Sequence, residues 1–239
     1  MKRLSKILAL SLILVSVSFS QIETVGFEFN QHSRYIDSLR TKSNVWLMSY
    51  RNELPSDTRF TITLGLDNVK FFENDTTTNP TLKSTNQIFA QFEVMQKLYL
   101  MYLKAAVQFY SINGNAIEVT TGYSEVLHHN IYRILEFPLG AGFTVPINDF
   151  ELFLGVNKTF FYGTNEKEIV VNNSGNKTSL GNAPRQSFST ELGLGLEASV
   201  VYKITDNIKI EADFIKYKDK DFSLKFSIWG PLKRMLYIN

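Results

Sequence analysis

The sequence predicts an all-β fold, an antiparallel up-and-down barrel, and three observations carry that prediction. Apolar residues recur at every second position over most of the chain, the period of a strand with one apolar and one polar face. The connections between these segments alternate between short and long, as a meander with tight turns on one rim and loops on the other requires. No comparable stretch shows a 3.6-residue period.

Composition removes several other classes. The chain has 239 residues, 44% apolar and 20% charged, a balance that excludes a disordered tail, a collagen-like repeat and a polytopic helical membrane protein. It contains no Cys, which excludes a disulfide scaffold, a thiol nucleophile, a thiolate-held metal and a lipidated cysteine. Met1 to Ser20 has the three parts of a secretory signal peptide: Lys2, Arg3 and Lys6, then an apolar stretch from Ile7 to Phe19, then Ser18 and Ser20 as small residues ahead of Gln21. That stretch falls well short of the roughly 20 residues of a spanning helix. Its removal leaves 22 basic against 23 acidic residues, a charge of −1, with no basic excess to drive nucleic-acid binding. The chain thus divides into a signal peptide over 1–20, a barrel over 21–230 and a short tail over 231–239.

Eight strands are read from Thr58 onward: 58–70, 87–96, 100–112, 131–145, 150–162, 187–203, 208–217 and 222–229. The alternation is clearest where Leu135, Phe137, Leu139, Ala141, Phe143 and Val145 face away from Glu136, Pro138, Gly140, Gly142 and Thr144. In the run from Phe188 to Tyr202, Leu192, Leu194 and Leu196 share one face against Glu191, Gly193, Gly195 and Glu197. Ahead of these, Ile22 to Asn30 also alternates and needs a partner, which Ser43 to Tyr50 supplies before a short turn at 52–57. The count is therefore 10, with eight as the alternative if residues 36–52 form a loop or short helix. Short turns are read near Gln96–Tyr99, at Pro146–Asp149 and at Thr205–Asn207. Long polar connections are read at Glu73–Asn86, Asn113–Asn130 and Gly163–Gln186.

Alternation alone does not say whether the apolar face points inward or outward, and three features favour outward, toward lipid. The polar face is small and acidic at the strand centres, with Gly140, Gly142, Gly155, Gly193 and Gly195 among glutamates, as a narrow barrel's concave side requires. Aromatics gather at both strand ends, Phe109, Tyr110, Phe160 to Tyr162 and Phe188 at one, Tyr99, Tyr102, Phe150 and Tyr202 at the other, as two membrane interfaces require. Several strands also exceed the 9–11 residues or so that cross a bilayer at a tilt. The fold class is then a transmembrane β-barrel; the alternative is a soluble periplasmic ligand-binding barrel.

The segment Leu192 to Tyr217, LGLGLEASVVYKITDNIKIEADFIKY, and the turn Val145 to Phe150, VPINDF, resemble the strand-turn-strand units of the OmpA/OmpX-like outer-membrane β-barrel families. The resemblance covers the mature chain in pattern and two turns in motif. It implies the bacterial outer membrane as location, with outer-membrane lipid and the barrel insertion machinery as partners. Many such barrels end on an aromatic residue, whereas this chain continues past Trp229 to Asn239.

With the apolar face outside, Arg59, Lys104, Lys209 and Lys225 turn inward with Glu136, Glu151, Glu191, Glu197, Glu211 and Asp213. Opposite charges in a narrow lumen pair, since unpaired burial costs several kcal/mol or so per ion. Such a network either fills the interior as a structural plug or forms a gate or narrow ion path. Of the histidines, His32 adjoins Ser33, but neighbours on a strand point to opposite faces, and His128 and His129 match no hydrolase spacing. The reading is therefore a non-enzymatic membrane barrel without metal or cofactor. Its role is structural or adhesive, toward an unknown extracellular partner through its long loops; a narrow pore for small solutes or ions is the alternative.

Overall fold

Alternating strands in hydrocarbon have one stable outcome, closure, because every backbone N–H and C=O must find a partner where no water reaches. The computed structural model describes residues 22–36, 39–72, 83–84, 86–121, 124–173, 176–182, 184–205, 208–218 and 221–232. These hold thirteen strands: β1 (Ile22–Ile36), β2 (Leu39–Glu53), β3 (Thr58–Phe72), β4 (Lys83–Ser84), β5 (Asn86–Leu98), β6 (Met101–Thr121), β7 (Ser124–Ile147), β8 (Phe150–Asn173), β9 (Asn176–Asn182), β10 (Gln186–Glu191), β11 (Gly195–Thr205), β12 (Ile208–Lys216) and β13 (Phe222–Pro231). Each pairs antiparallel with its barrel neighbours, and β1 pairs β13, from Thr24 opposite Pro231 to Ser33 opposite Phe222. Because β9, β10 and β11 all pair β8 and form one interrupted stave, and β4 continues the stave of β5 along β6, the closed barrel has ten staves. The N-terminal hairpin β1–β2 supplies two of them, so the eight-strand alternative does not apply.

Parity sorts the side chains as the sequence requires. Trp46 is 70% exposed, Leu194 63% and Phe226 47%, all on the outer wall, with Phe27, Leu64, Ile88, Leu103, Phe143 and Leu154. The polar residues between them are buried. An outer face of this composition fits hydrocarbon, and the soluble ligand-binding barrel is excluded by it. Near one rim, Phe150 stacks on Tyr202 at 4.6 Å. Toward the other, Phe137 meets the edge of Tyr162 at 5.8 Å.

Three expectations need correction. Residues 113–130 are not a loop: β6 and β7 stay paired up to Thr121 opposite Ser124, with a register shift between Ile117 and Val119. Likewise β8 runs on to Asn173 and folds back as β9. Both segments continue in register beyond the apolar girdle, so the ladder persists where the sequence has lost the alternation that betrays a strand. The third correction concerns phase. Glu191 pairs with Phe160 and Gly195 with Asn157, so four steps on one strand match three on the other. This one-residue bulge turns Leu192 inward and leaves Glu191 outside, because a slip of one residue exchanges the two faces. The Leu192 N–H keeps a partner by donating to the Thr159 carbonyl at 2.9 Å.

The tight turns lie where expected among the described residues: Asp57, Tyr99 and Asn148 each take a positive φ. The turn at 206–207, the segment 1–21, most of the 73–86 connection and residues 233–239 of the tail lie outside the described residues.

Inward glycines seat aromatic rings. A Cβ on Gly26 would come within 2.6 Å of the Trp229 ring, and one on Gly155 within 2.5 Å of the Tyr102 hydroxyl. Both rings are almost fully buried. The Gly26→Val variant is therefore expected to displace Trp229 and destabilise the barrel by about 1–3 kcal/mol. Gly193→Ala, where the added carbon meets only Lys218 at 3.4 Å, is expected to be neutral. The temperature at which each variant loses its fast-migrating native band on gels checks this; equal temperatures would contradict it.

Candidate functional site

The inward parity of the ten staves builds a filled lumen in layers. At the short-turn rim, the Lys97 ammonium on β5 donates to both oxygens of Glu151 on β8 at 2.6 and 2.8 Å, and Thr144 donates to the same carboxylate. Lys209 on β12 reaches Glu53 on β2 at 3.2 Å. Deeper, the carboxylates of the ion pairs are more enclosed. Arg51 on β2 donates to Glu211 on β12 at 2.7 Å, and Arg59 on β3 lies 3.8 Å from the same carboxylate and 3.6 Å from Glu93 on β5. The Trp229 indole N–H also donates to Glu211, at 3.1 Å, while the Arg51 guanidinium lies 3.6 Å over the Trp229 ring. Lys225 pairs with Asp213 across adjacent strands at 2.7 Å. Lys104 pairs with Glu197, which also accepts from Asn157.

Above the ions the lumen becomes apolar. Val45, Leu47, Phe89, Ile134, Phe161 and Leu192 pack with Tyr110, Tyr132 and Tyr217 into one buried cluster, and Val45 and Phe161 are 0% exposed. Between the layers, Tyr110 donates to Glu136 at 3.2 Å and Tyr217 to Asn157 at 3.0 Å. Among the described residues these layers enclose two small cavities, of about 60 and about 10 Å³. The smaller is the size of a single water.

Of the residues read from the sequence as a lumen network, Arg59, Lys104, Glu197, Glu211, Asp213 and Lys225 come together in the deep layer. Glu136 lies at the apolar boundary, and Glu151 and Lys209 lie at the rim. Glu191 does not join them. The bulge puts it on the outer wall, where it accepts from Lys158 at 2.7 Å. Arg51, Glu53, Glu93 and Lys97 belong to the network but were absent from that reading. Extending the inward parity of Ser49 by one and two steps reaches Arg51 and Glu53, and Glu93 lies between the outward Phe92 and Val94. The apolar layer was missed as well, although runs such as Val45–Met48 and Ile88–Ala90, apolar on both parities, carry its signal. His32 is buried on the inward parity of β1, and the side chains of His128 and His129 lie outside the described residues.

Depth sets the expected energetics. Glu211→Leu strips Arg51 and Arg59 of a shared buried partner and is expected to cost about 3–5 kcal/mol. Lys97→Met breaks a partly solvated pair and is expected to cost at most about 1 kcal/mol. Urea unfolding in detergent, read by the loss of β circular dichroism, checks the difference; equal losses would show that the two layers are equally wet.

No protein-family model matches the chain, and no curated protein matches it. Solved structures do share its fold. The translocator domain of autotransporter NalP from Neisseria meningitidis aligns with a TM-score of 0.54 at 10% identity, over 95% of this chain and 96% of that one. The beta domain of the Bordetella autotransporter BrkA aligns with a TM-score of 0.50 at 8% identity, over 89% of this chain and 100% of that one. The likeness is one of fold: the chain has the architecture of bacterial outer-membrane β-barrels, and its apolar girdle suits it to that membrane.

Proposed function

We propose that this protein is a sealed outer-membrane barrel with a structural or adhesive role, exerted by the strands it raises beyond the girdle. The observation that supports this most is the plug. Val45, Leu47, Phe89, Ile134 and Phe161 fill the section of the lumen above the ion pairs, which disfavours passage of solutes. The conspicuous feature outside the bilayer is then a wall: β6, β7 and β8 have 21, 24 and 24 residues. About 9–11 suffice to cross, so each has roughly as many again to spare. Their upper parts, rich in Asn, Thr and Glu, are paired strands and hold their shape without a partner. This suits a preformed contact surface.

On this reading residues 1–20 direct export, the barrel insertion machinery folds the strands, and outer-membrane lipid surrounds them. The strand-turn-strand units at 192–217 and 145–150 favour grouping the chain with the OmpA/OmpX-like barrels. The ion network is a structural filling that ties opposite walls together, with no catalytic step assigned to it.

Two measurements test the proposal. In planar lipid bilayers the folded protein is expected to show no conductance steps, and the Phe89→Ala/Phe161→Ala variant is expected to show them; steps from the unaltered protein would favour the narrow pore. Replacing residues 114–130 with a two-residue Asn-Gly turn, which keeps Asn113 opposite Ile131, is expected to leave the heat-modifiable band intact and to reduce attachment of expressing cells to surfaces to the vector level. Undiminished attachment would remove the adhesive role.

A further inference from the structure

At the short-turn rim the lumen opens as a vestibule of about 420 Å³, within the range of small-molecule sites. Its floor is formed by Arg51 and Arg59, which are held from below by Glu211. A solute that enters from this side meets first the ionic layer and then the apolar cluster, so on the sealed-barrel reading the vestibule holds a molecule rather than passing it on.

Its walls are unevenly charged. Arg51, Arg59, Lys97, Lys203 and Lys209 line it, against Glu53, Glu151 and an Asp57 on the exposed turn at the mouth. Four of the cations are already engaged: the two arginines with carboxylates beneath the floor, Lys97 with Glu151, and Lys209 with Glu53. Lys203 has no ion pair among the described residues. The β11–β12 register also sets Lys203 directly opposite Lys209, and both side chains face the cavity. Like charges directly across a strand pair repel and cost stability. An anion seated between the two ammonium groups reverses the sign of that interaction and satisfies the unpaired one. The apolar part of the wall, Ile22, Leu54, Pro55, Phe150 and Val201, accommodates a short carbon skeleton beside the charged group.

We propose that this vestibule binds a small solute bearing a carboxylate or phosphate group, with the anionic group held between Lys203 and Lys209. The site lies at the opposite rim from the raised wall and is independent of the adhesive role.

The chain carries its own reporter. It has two tryptophans: Trp46 on the outer wall, and Trp229 beneath the Arg51 guanidinium that forms part of the vestibule floor. In full-length Trp46→Phe protein in detergent at low salt, titration with inorganic phosphate and, separately, with succinate is expected to change Trp229 emission saturably. The change is expected to be lost at about 1 M sodium chloride, where charge interactions are screened within about 3 Å. Adding Lys203→Gln and Lys209→Gln is expected to raise the dissociation constant at least tenfold, whereas Lys158→Gln on the outer wall leaves it unchanged. Saturation by phosphate alone assigns a phosphoryl group, by succinate alone a carboxylate, and by both a general anion site; each supports the proposal. If the double variant loses its heat-modifiable band, Lys203→Met, which breaks no ion pair, takes its place. No saturable signal from either probe, or lysine variants that bind as tightly as their parent, would overturn the proposal.

Discussion

The constraint on which this structure depends is the hydrogen-bond demand of the backbone in hydrocarbon. A strand in lipid cannot leave an edge open, so the sheet must return on itself, and here it does so through the β1–β13 pairing. Once the sheet is closed, the two-residue period fixes the destination of each side chain. Phe27 and Phe29 go to the bilayer, and Glu28 between them goes to the lumen. The carboxylate stands there because parity leaves it no other place. The chemistry of the interior is therefore set by the exterior.

A lumen enclosed by ten staves is too narrow for bulky residues at every inward position, and the chain answers by alternating rings with absent side chains. Trp229 lies against Gly26, and Tyr102 against Gly142 and Gly155. The charges answer the same crowding differently. Lys97 with Glu151, Lys104 with Glu197 and Arg51 with Glu211 each join strands that are not hydrogen-bonded to one another, so ion pairs act as struts across the bore. The aromatic and aliphatic cluster above them completes the filling without further charge.

Much of this was legible in the residues because period two is a strong signal wherever one face meets lipid and the other does not. Strand number, the N-terminal hairpin, the outward set and most of the inward ions follow from it. The signal fails in three physical situations. Where the alternation lapses while the ladder runs on, as at 113–121 and 164–173, a strand reads as a polar loop. Where both faces are apolar, as at Val45–Met48, membrane girdle and interior plug cannot be told apart by periodicity. Where one extra residue enters a strand, as between Glu191 and Gly195, the alternation continues in the sequence while the faces exchange in space, and Glu191 is assigned to the wrong side. The unequal charge of the vestibule was equally hidden, because it depends on the register that brings Lys203 opposite Lys209.

The clasp of Arg51, Glu211 and Trp229 also bears on assembly. Its three members come from β2, β12 and β13, so they meet only across the seam where the beginning of the chain finds its end. An unfinished sheet already in the bilayer would carry that arginine and that glutamate apart, each uncompensated in a poorly hydrated setting. Zipping the last strand onto the first and cancelling the interior charge are thus the same event, and a half-built intermediate is penalised electrostatically until the moment it completes.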